Sequence, residues 1–245
     1  TITRPCPEAP VADATPSLSI VIMAYNEAGS IAAQARATAD FLRRVGSNGQ
    51  VVIVDDGSRD GTGAIADALA AEDPIHTVVH HPTNLGMGRA IRSGYAAARC
   101  EFVSQLPGDG QVVPDTLERF LPHLATHDLV LSTYTRRDDG LARKVVTAGY
   151  QATARVLLGD RCAFTGTMVF RRAWLDRIRL TCDSFLVNVE LPLKLMRAGV
   201  VPAHVTIQAL ERVHGRSKVL SARRVAHVVA EMLALRRELV VRSSR

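Results

Sequence analysis

Aromatic residues are scarce in this chain. Phe, Tyr and Trp together make up 4% of its 245 residues, and tryptophan occurs once. Proteins that hold single-stranded nucleic acid stack bases on platforms of such rings, so that class is disfavoured and no nucleic-acid partner is expected. Cysteine is scarce too. Cys6, Cys100, Cys162 and Cys182 lie far apart and form no Cys-x-x-Cys pair. This excludes the common zinc and redox spacings and fits a reducing, cytoplasmic setting. No apolar run reaches the roughly 18 residues that a membrane-spanning helix requires. The first residues lack the pattern of a secretory signal. No internal repeat or low-complexity run is found.

What the chain has is apolar content and positive charge. The hydrophobic fraction is 47%, enough for a sizeable core in one large domain or two small ones. The formal net charge is +6 and the pI about 9.5, which points to anionic partners such as nucleotide or lipid phosphates or an anionic membrane surface. Residues 1–16 carry Pro5, Pro7, Pro10 and Pro16 and read as an extended leader, followed by a single domain over 17–245.

Two apolar runs end in acidic loops. One is Ser19-Ile20-Val21-Ile22-Met23-Ala24-Tyr25-Asn26-Glu27; the other is Val52-Ile53-Val54-Asp55-Asp56-Gly57-Ser58. Each reads as a buried parallel strand whose carboxyl end opens into a polar turn, the edge of an open α/β sheet where ligands bind. Strands are expected at about 18–24, 51–54, 77–80, 102–106, 128–133, 166–172 and 205–209. Helices are expected from the Asn26–Ser30 turn to about Val45, and at about 61–71, 89–98, 114–125, 184–199 and 222–242. This alternation argues for an α/β fold with a mostly parallel, doubly wound sheet flanked by helices. Right-handed crossovers then place the loops after the first, second and fourth strands on one edge.

Five segments, in this order, resemble a family 2 glycosyltransferase of the polyprenyl-phosphate, dolichol-phosphate-mannose synthase-like type. They are Ile22-Met23-Ala24-Tyr25-Asn26-Glu27, Val54-Asp55-Asp56-Gly57-Ser58, Asn84-Leu85-Gly86-Met87-Gly88, Gly108-Asp109-Gly110-Gln111, and Arg212 with Gly215-Arg216-Ser217-Lys218. The resemblance covers about 17–240 and implies the GT-A fold. It implies inverting transfer of a sugar from a UDP- or GDP-sugar to a polyprenyl phosphate. Asp56, with Asp55, would accept N–H donors of the base, while Ala24, Tyr25 and Glu27 frame base and ribose. A carboxylate at a strand end suits that task on chemical grounds alone; the plain alternative is that both aspartates only cap the helix near Gly61.

The resemblance further implies that Asp109, with Gln111, holds a Mg²⁺ or Mn²⁺ ion that bridges the donor diphosphate. Family members usually place Asp-x-Asp here, and this chain has Pro107 where the first aspartate stands. Gly86 lets the backbone approach the donor. Met87 replaces the family's basic residue, so Arg89 is expected to supply that charge. By the same resemblance Arg212 and Lys218 face the donor diphosphate, and Arg136, Arg137 and Arg143 the acceptor phosphate; the alternative is a solvated basic face. Phosphates are best held by bidentate cationic donors, which suits arginine.

Glu190 is a carboxylate inside the apolar stretch Val187-Asn188-Val189-Glu190-Leu191-Pro192. A residue of this type is rarely buried without a reason. The resemblance places it near the sugar as a catalytic base or hydroxyl ligand; its plain role would be to pair with an arginine. His80-His81 and His123 with His127 read as surface histidines, since Leu124 breaks the His-Glu-x-x-His pattern. Trp174 reads as core. The apolar positions of 222–242 recur at helical spacing, so this helix either packs on the domain or lies peripherally on the inner face of a membrane. Two other functions stand beside the first. One is the same fold acting on a soluble small molecule or a carrier-protein-bound acceptor. The other is a nucleotide- or nucleic-acid-binding module without turnover.

Overall fold

A computed structural model describes residues 15–134, 153–154, 156–159, 167–207 and 222–243. The expected leader therefore lies outside it except for its last two residues. Arg136, Arg137, Arg143, Arg212 and Lys218 also lie outside the described residues.

The strands are β1 (Leu18–Ala24), β2 (Gln50–Asp55), β3 (His76–His80), β4 (Phe102–Pro107), β5 (Leu129–Tyr134), β6 (Met168–Arg171) and β7 (Ala203–Ile207). The helices are α1 (Ile31–Arg44), α2 (Thr62–Glu72), α3 (Met87–Ala97), α4 (Val187–Arg197) and α5 (Ala222–Ser243). One seven-stranded sheet runs in the order β3-β2-β1-β4-β6-β5-β7. All neighbours pair in parallel except at β6, which is antiparallel to both β4 and β5. The mostly parallel α/β architecture is thus as expected.

The strands are apolar on both sides because helices cover both faces. Alternate residues of β1 divide between two cores. Leu18, Ile20 and Ile22 pack with α1, α2, Leu117 and Phe120. Val21 packs with Val52, Val54, α3, α4 and α5 on the opposite face. Contact with α3 is close: a Cβ added at Gly94 would lie 2.2 Å from Val21 Cγ1. Only a glycine lets this helix sit so near the sheet.

One expected helix is absent. Residues 114–125 form two short 3₁₀ pieces, Pro114–Arg119 and Leu121–His123. Pro122 lacks the N–H that an α-helical bond would use and disfavours a continuous helix here, although α4 does run through Pro192. The C-terminal helix forms as expected and packs on the domain. Val228, Met232, Leu235 and Leu239 are buried in the core shared with α3 and α4. Its apolar stripe is therefore covered by protein.

Candidate active site

The parallel ladder brings the signal segments together. Ala24 pairs with Asp55, Asp55 with His80, and Met23 with Pro107, so β1 to β4 end at one level. Their backbones stay bonded one residue further: Asp56 N–H donates to Ala24 O at 2.9 Å, His81 N–H to Asp55 O at 2.9 Å and Gly108 N–H to Met23 O at 2.9 Å. Tyr25, Glu27, Asp55, Asp56, Gly86, Asp109 and Gln111 thus lie on a common rim.

Beyond β1 the chain turns at Asn26, which has φ 56°, a left-handed conformation that asparagine tolerates better than most residues. Its Oδ1 accepts Arg59 N–H and its own N–H donates to Ser58 Oγ. Glu27 N–H donates to Thr62 Oγ1, and Ala28 N–H to Asp60 Oδ2. Asp60 also accepts from Thr62, whose hydroxyl bond is the main cause of its lowered pKa. The loops after β1 and β2 are therefore one bonded unit. Ser30 Oγ lies 3.1 Å from Glu27 Oε2 and 2.9 Å from Gly108 O, which joins the loop after β4 to the same unit. Tyr25 stands out of it, 42% exposed.

The two neighbouring aspartates have different surroundings. Asp55 Oδ1 accepts Ser58 N–H, and Oδ2 meets His80 Nδ1 at 3.2 Å. His80 Nε2 reaches Asp67 Oδ1 at 2.8 Å, and Asp67, more than Asp55, raises the His80 pKa above its ordinary 6.5. Asp55 accordingly fastens β2 to β3 and to α2. Asp56 is 4% exposed, and its carboxylate holds the next loop. Oδ1 accepts Leu85 N–H at 2.8 Å, Oδ2 accepts Gly86 N–H at 2.9 Å, and His81 Nδ1 lies 2.7 Å from Oδ1. His81 Nε2 in turn meets Ser93 Oγ of α3 at 2.9 Å. Gly57, at φ 71°, turns the chain so tightly that an added Cβ would lie 2.4 Å from the Thr83 carbonyl carbon.

His81, whose side chain is 8% exposed, corrects the reading of it as a surface residue; His80, 43% exposed, is a surface histidine as expected, though a paired one. The missed signal was register: a His-His pair that ends β3 is set opposite an Asp-Asp pair that ends β2.

Asp109 is half-buried after β4, and its Oδ1 accepts Gln111 N–H at 3.0 Å. Gln111 Nε2 donates to Asp109 Oδ2. The amide therefore turns its NH₂ group toward the carboxylate. The two ends of the amide exchange by a half-turn of the side chain, so the expectation of Gln111 as a second oxygen ligand beside Asp109 is unchanged. Among the described residues no group of three His, Cys, Asp or Glu side chains could hold a metal. Asp109 is a hard oxygen donor of the type Mg²⁺ and Mn²⁺ prefer, and it fits such an ion only when donor phosphates complete the shell.

Arg89 does not stand free for the donor. Its guanidinium lies 2.9 Å from Asp183 Oδ2, and this pairing raises its pKa. Arg92 reaches Asp183 Oδ1 at 2.5 Å. Met87, at the family's basic position, is 51% exposed.

Glu190 lies in the interior with 0% exposure. Oε1 accepts Thr181 N–H at 2.8 Å and lies 2.7 Å from Lys194 Nζ, while Oε2 accepts Cys182 N–H at 2.9 Å. Desolvation opposes its charge, yet Lys194 and these N–H groups hold its pKa below the ordinary value. A buried carboxylate with lowered basicity and this many donors is poorly suited to take a proton from an acceptor. It pairs with a lysine rather than an arginine, and it holds the 179–183 segment to α4. Trp174 donates Nε1–H to Asp128, which precedes β5, away from the rim of β1 to β4.

The profile of glycosyl transferase family 2 matches residues 19–179. The chain is 30% identical over 214 residues to the undecaprenyl-phosphate mannosyltransferase of Micrococcus luteus, covering 81% of this chain and 86% of that protein. It is 28% identical over 224 residues to the undecaprenyl-phosphate 4-deoxy-4-formamido-L-arabinose transferase of Pseudomonas fluorescens; the match covers 88% of this chain and 63% of that protein. Among solved structures, glucosyl-3-phosphoglycerate synthase from Mycobacterium tuberculosis, in complex with Mn²⁺, UDP and glucosyl-3-phosphoglycerate, superposes with a TM-score of 0.66 at 20% identity, over 89% of this chain and 80% of that one. This likeness establishes a shared GT-A fold.

Proposed function

The chain belongs to glycosyl transferase family 2, and we propose that it moves a sugar from a nucleoside-diphosphate sugar to the phosphate of a polyprenyl phosphate. The observation that carries the reading is the common rim of β1 to β4. It places a carboxylate positioned by the glycine loop, Asp56, on the same edge as Asp109. Two relatives named for undecaprenyl phosphate but for different sugars support this acceptor class and leave the sugar open.

In this reading the base lies against Asp56, framed by Ala24, Tyr25 and Glu27. The diphosphate lies toward Asp109. A phosphate oxygen of the acceptor attacks the anomeric carbon from the face opposite the leaving group. The bond from that carbon to the diphosphate oxygen breaks, the nucleoside diphosphate leaves with the electron pair, and configuration inverts. A Mg²⁺ or Mn²⁺ ion held by Asp109 and the phosphates would offset charge on the leaving group. The acceptor phosphate is already anionic at neutral pH and needs no general base, which agrees with the burial of Glu190. Arg136, Arg137 and Arg143 for the acceptor, and Arg212 and Lys218 for the donor, remain assigned from the sequence.

The test is nucleoside diphosphate release from UDP-, GDP- and dTDP-sugars with Mg²⁺ or Mn²⁺, with and without a short-chain polyprenyl phosphate. Release that depends on the lipid phosphate is expected; donor turnover indifferent to it sinks the acceptor assignment. Asp109→Asn is expected to lower kcat by about 100-fold, the scale of losing one electrostatic contact to the leaving group. A net charge of +6 further favours contact with an anionic membrane surface. Cosedimentation with anionic vesicles that fades as salt rises is expected, and equal binding to zwitterionic vesicles would refute it.

A further inference from the structure

Asp56 has donors to count. A carboxylate offers roughly four lone-pair sites, two on each oxygen. Oδ1 receives Leu85 N–H and faces His81 Nδ1, and Oδ2 receives Gly86 N–H. A carboxylate can only accept, so the hydrogen of this His81 contact is on Nδ1. Ser93 Oγ, 2.9 Å from Nε2, fixes the other side of the ring. Among the described residues Oδ1 is thus filled, and one acceptor site remains on Oδ2.

Base edges differ in what they ask of such a group. Guanine presents N1–H and N2–H side by side and binds a carboxylate best through both oxygens. Uracil and thymine present a single N3–H between two carbonyl groups. We propose that Asp56, with Oδ1 occupied by His81 and Leu85, selects a pyrimidine imide base, so that the donor is a uridine or thymidine diphosphate sugar rather than a guanosine one. His81 is the positioning residue of this selection: it fills the lone pair a guanine would need. The inference rests on the proposed placement of the base at Asp56.

Calorimetric titration of UDP, dTDP and GDP, each with Mn²⁺, tests it. Wild-type protein is expected to bind UDP or dTDP at least about tenfold more tightly than GDP, the scale of one charged hydrogen bond lost. His81→Asn keeps an N–H near the Nδ1 position and retains the preference. His81→Leu frees the lone pair on Oδ1 and narrows the ratio toward one. A merely structural histidine would weaken all three nucleotides alike and leave the ratio unmoved, which would overturn the assignment, as would GDP equal to or tighter than UDP and dTDP in the wild type. UDP against dTDP distinguishes the two sources of the imide edge. If the wild type binds none of the three, the nucleotide-sugar reading itself fails. Should His81→Leu not fold, nitrogen-15 NMR of wild-type histidines decides: a proton on His81 Nδ1 is expected, and its absence overturns the proposal.

Discussion

Pro107 stands where family members usually carry the first aspartate of Asp-x-Asp, and the sheet accommodates it. Gly108 N–H bonds to Met23 O, so the residue before it turns its backbone away from β1. The described β4–β6 pairs run only to Ser104, so no ladder bond at Pro107 is lost. On the proposed reading the cost falls on the chemistry, because Asp109 would face the diphosphate without the second carboxylate at 107. Pro107→Asp is therefore expected to lower the Mn²⁺ concentration for half-maximal activity by on the order of tenfold, since added ligand charge tightens hard-cation sites. An unchanged metal titration would show that Asp109 does not hold the ion. Met87 is the matching departure in the glycine loop, and Arg89, the expected substitute, is paired with Asp183.

Among the elements, α5 does more than close the core. Glu238 Oε2 lies 2.9 Å from Lys194 Nζ, which also reaches Glu190. Glu231 accepts the N–H groups of Asp183 and Ser184, and Asp183 O accepts Gly88 N–H of α3. Bonds thus run from the C-terminal helix through the 179–184 segment to the glycine loop that Asp56 holds. Removing one member of a buried ion pair leaves the other uncompensated, at roughly 3–5 kcal/mol. Glu190→Gln and Lys194→Met are each expected to lower unfolding stability on this scale in denaturant titrations, with a smaller effect on kcat of the folded fraction. A large kcat loss at unchanged stability in Glu190→Gln would restore a catalytic role. The strands and most helices were legible because apolar runs and their acidic ends are local signals. The partners of Glu190 were not: Thr181, Cys182 and Lys194 lie close in sequence, but only packing shows that they turn inward. Pro122 was a local sign of the break at 114–125, but not a decisive one, since α4 runs through Pro192. The pairing of His81 with Asp56 needed the β2–β3 register, which no local pattern supplies.

For the molecule as a whole, titratable groups bound the range of stability. Arg89 holds the Asp183 carboxyl low, and Arg171 and Lys194 lower Asp128 and Glu190 against the burial that opposes them. Depressed carboxyls stabilise above their ordinary values of 3.8 to 4.5, and this is lost as pH falls through the lower folded values. His80 has the opposite sign. Its raised pKa stabilises below the ordinary 6.5 and is lost as pH rises through the folded value. The melting temperature is expected to be highest between about 4.5 and 6.5 on this account. It should fall steeply toward acid and gently toward alkali in scanning calorimetry, and a rise on acidification below that window would contradict these pairings.

The sheet order also dictates when its parts can assemble. Among the described residues β5 pairs only with β6 and β7, and β6 lies between β4 and β5 although it follows β5 in the chain by more than thirty residues. As the chain is synthesised, β1 to β4 can zip together at once, while β5 has no strand partner among the described residues until residues 168–171 emerge. Until then β4 shows an open strand edge, the kind of surface on which nascent chains aggregate. Pulse-labelled amides of β1, β2 and β4 should gain protection first, with β5 and β7 waiting on the single strand that runs the other way.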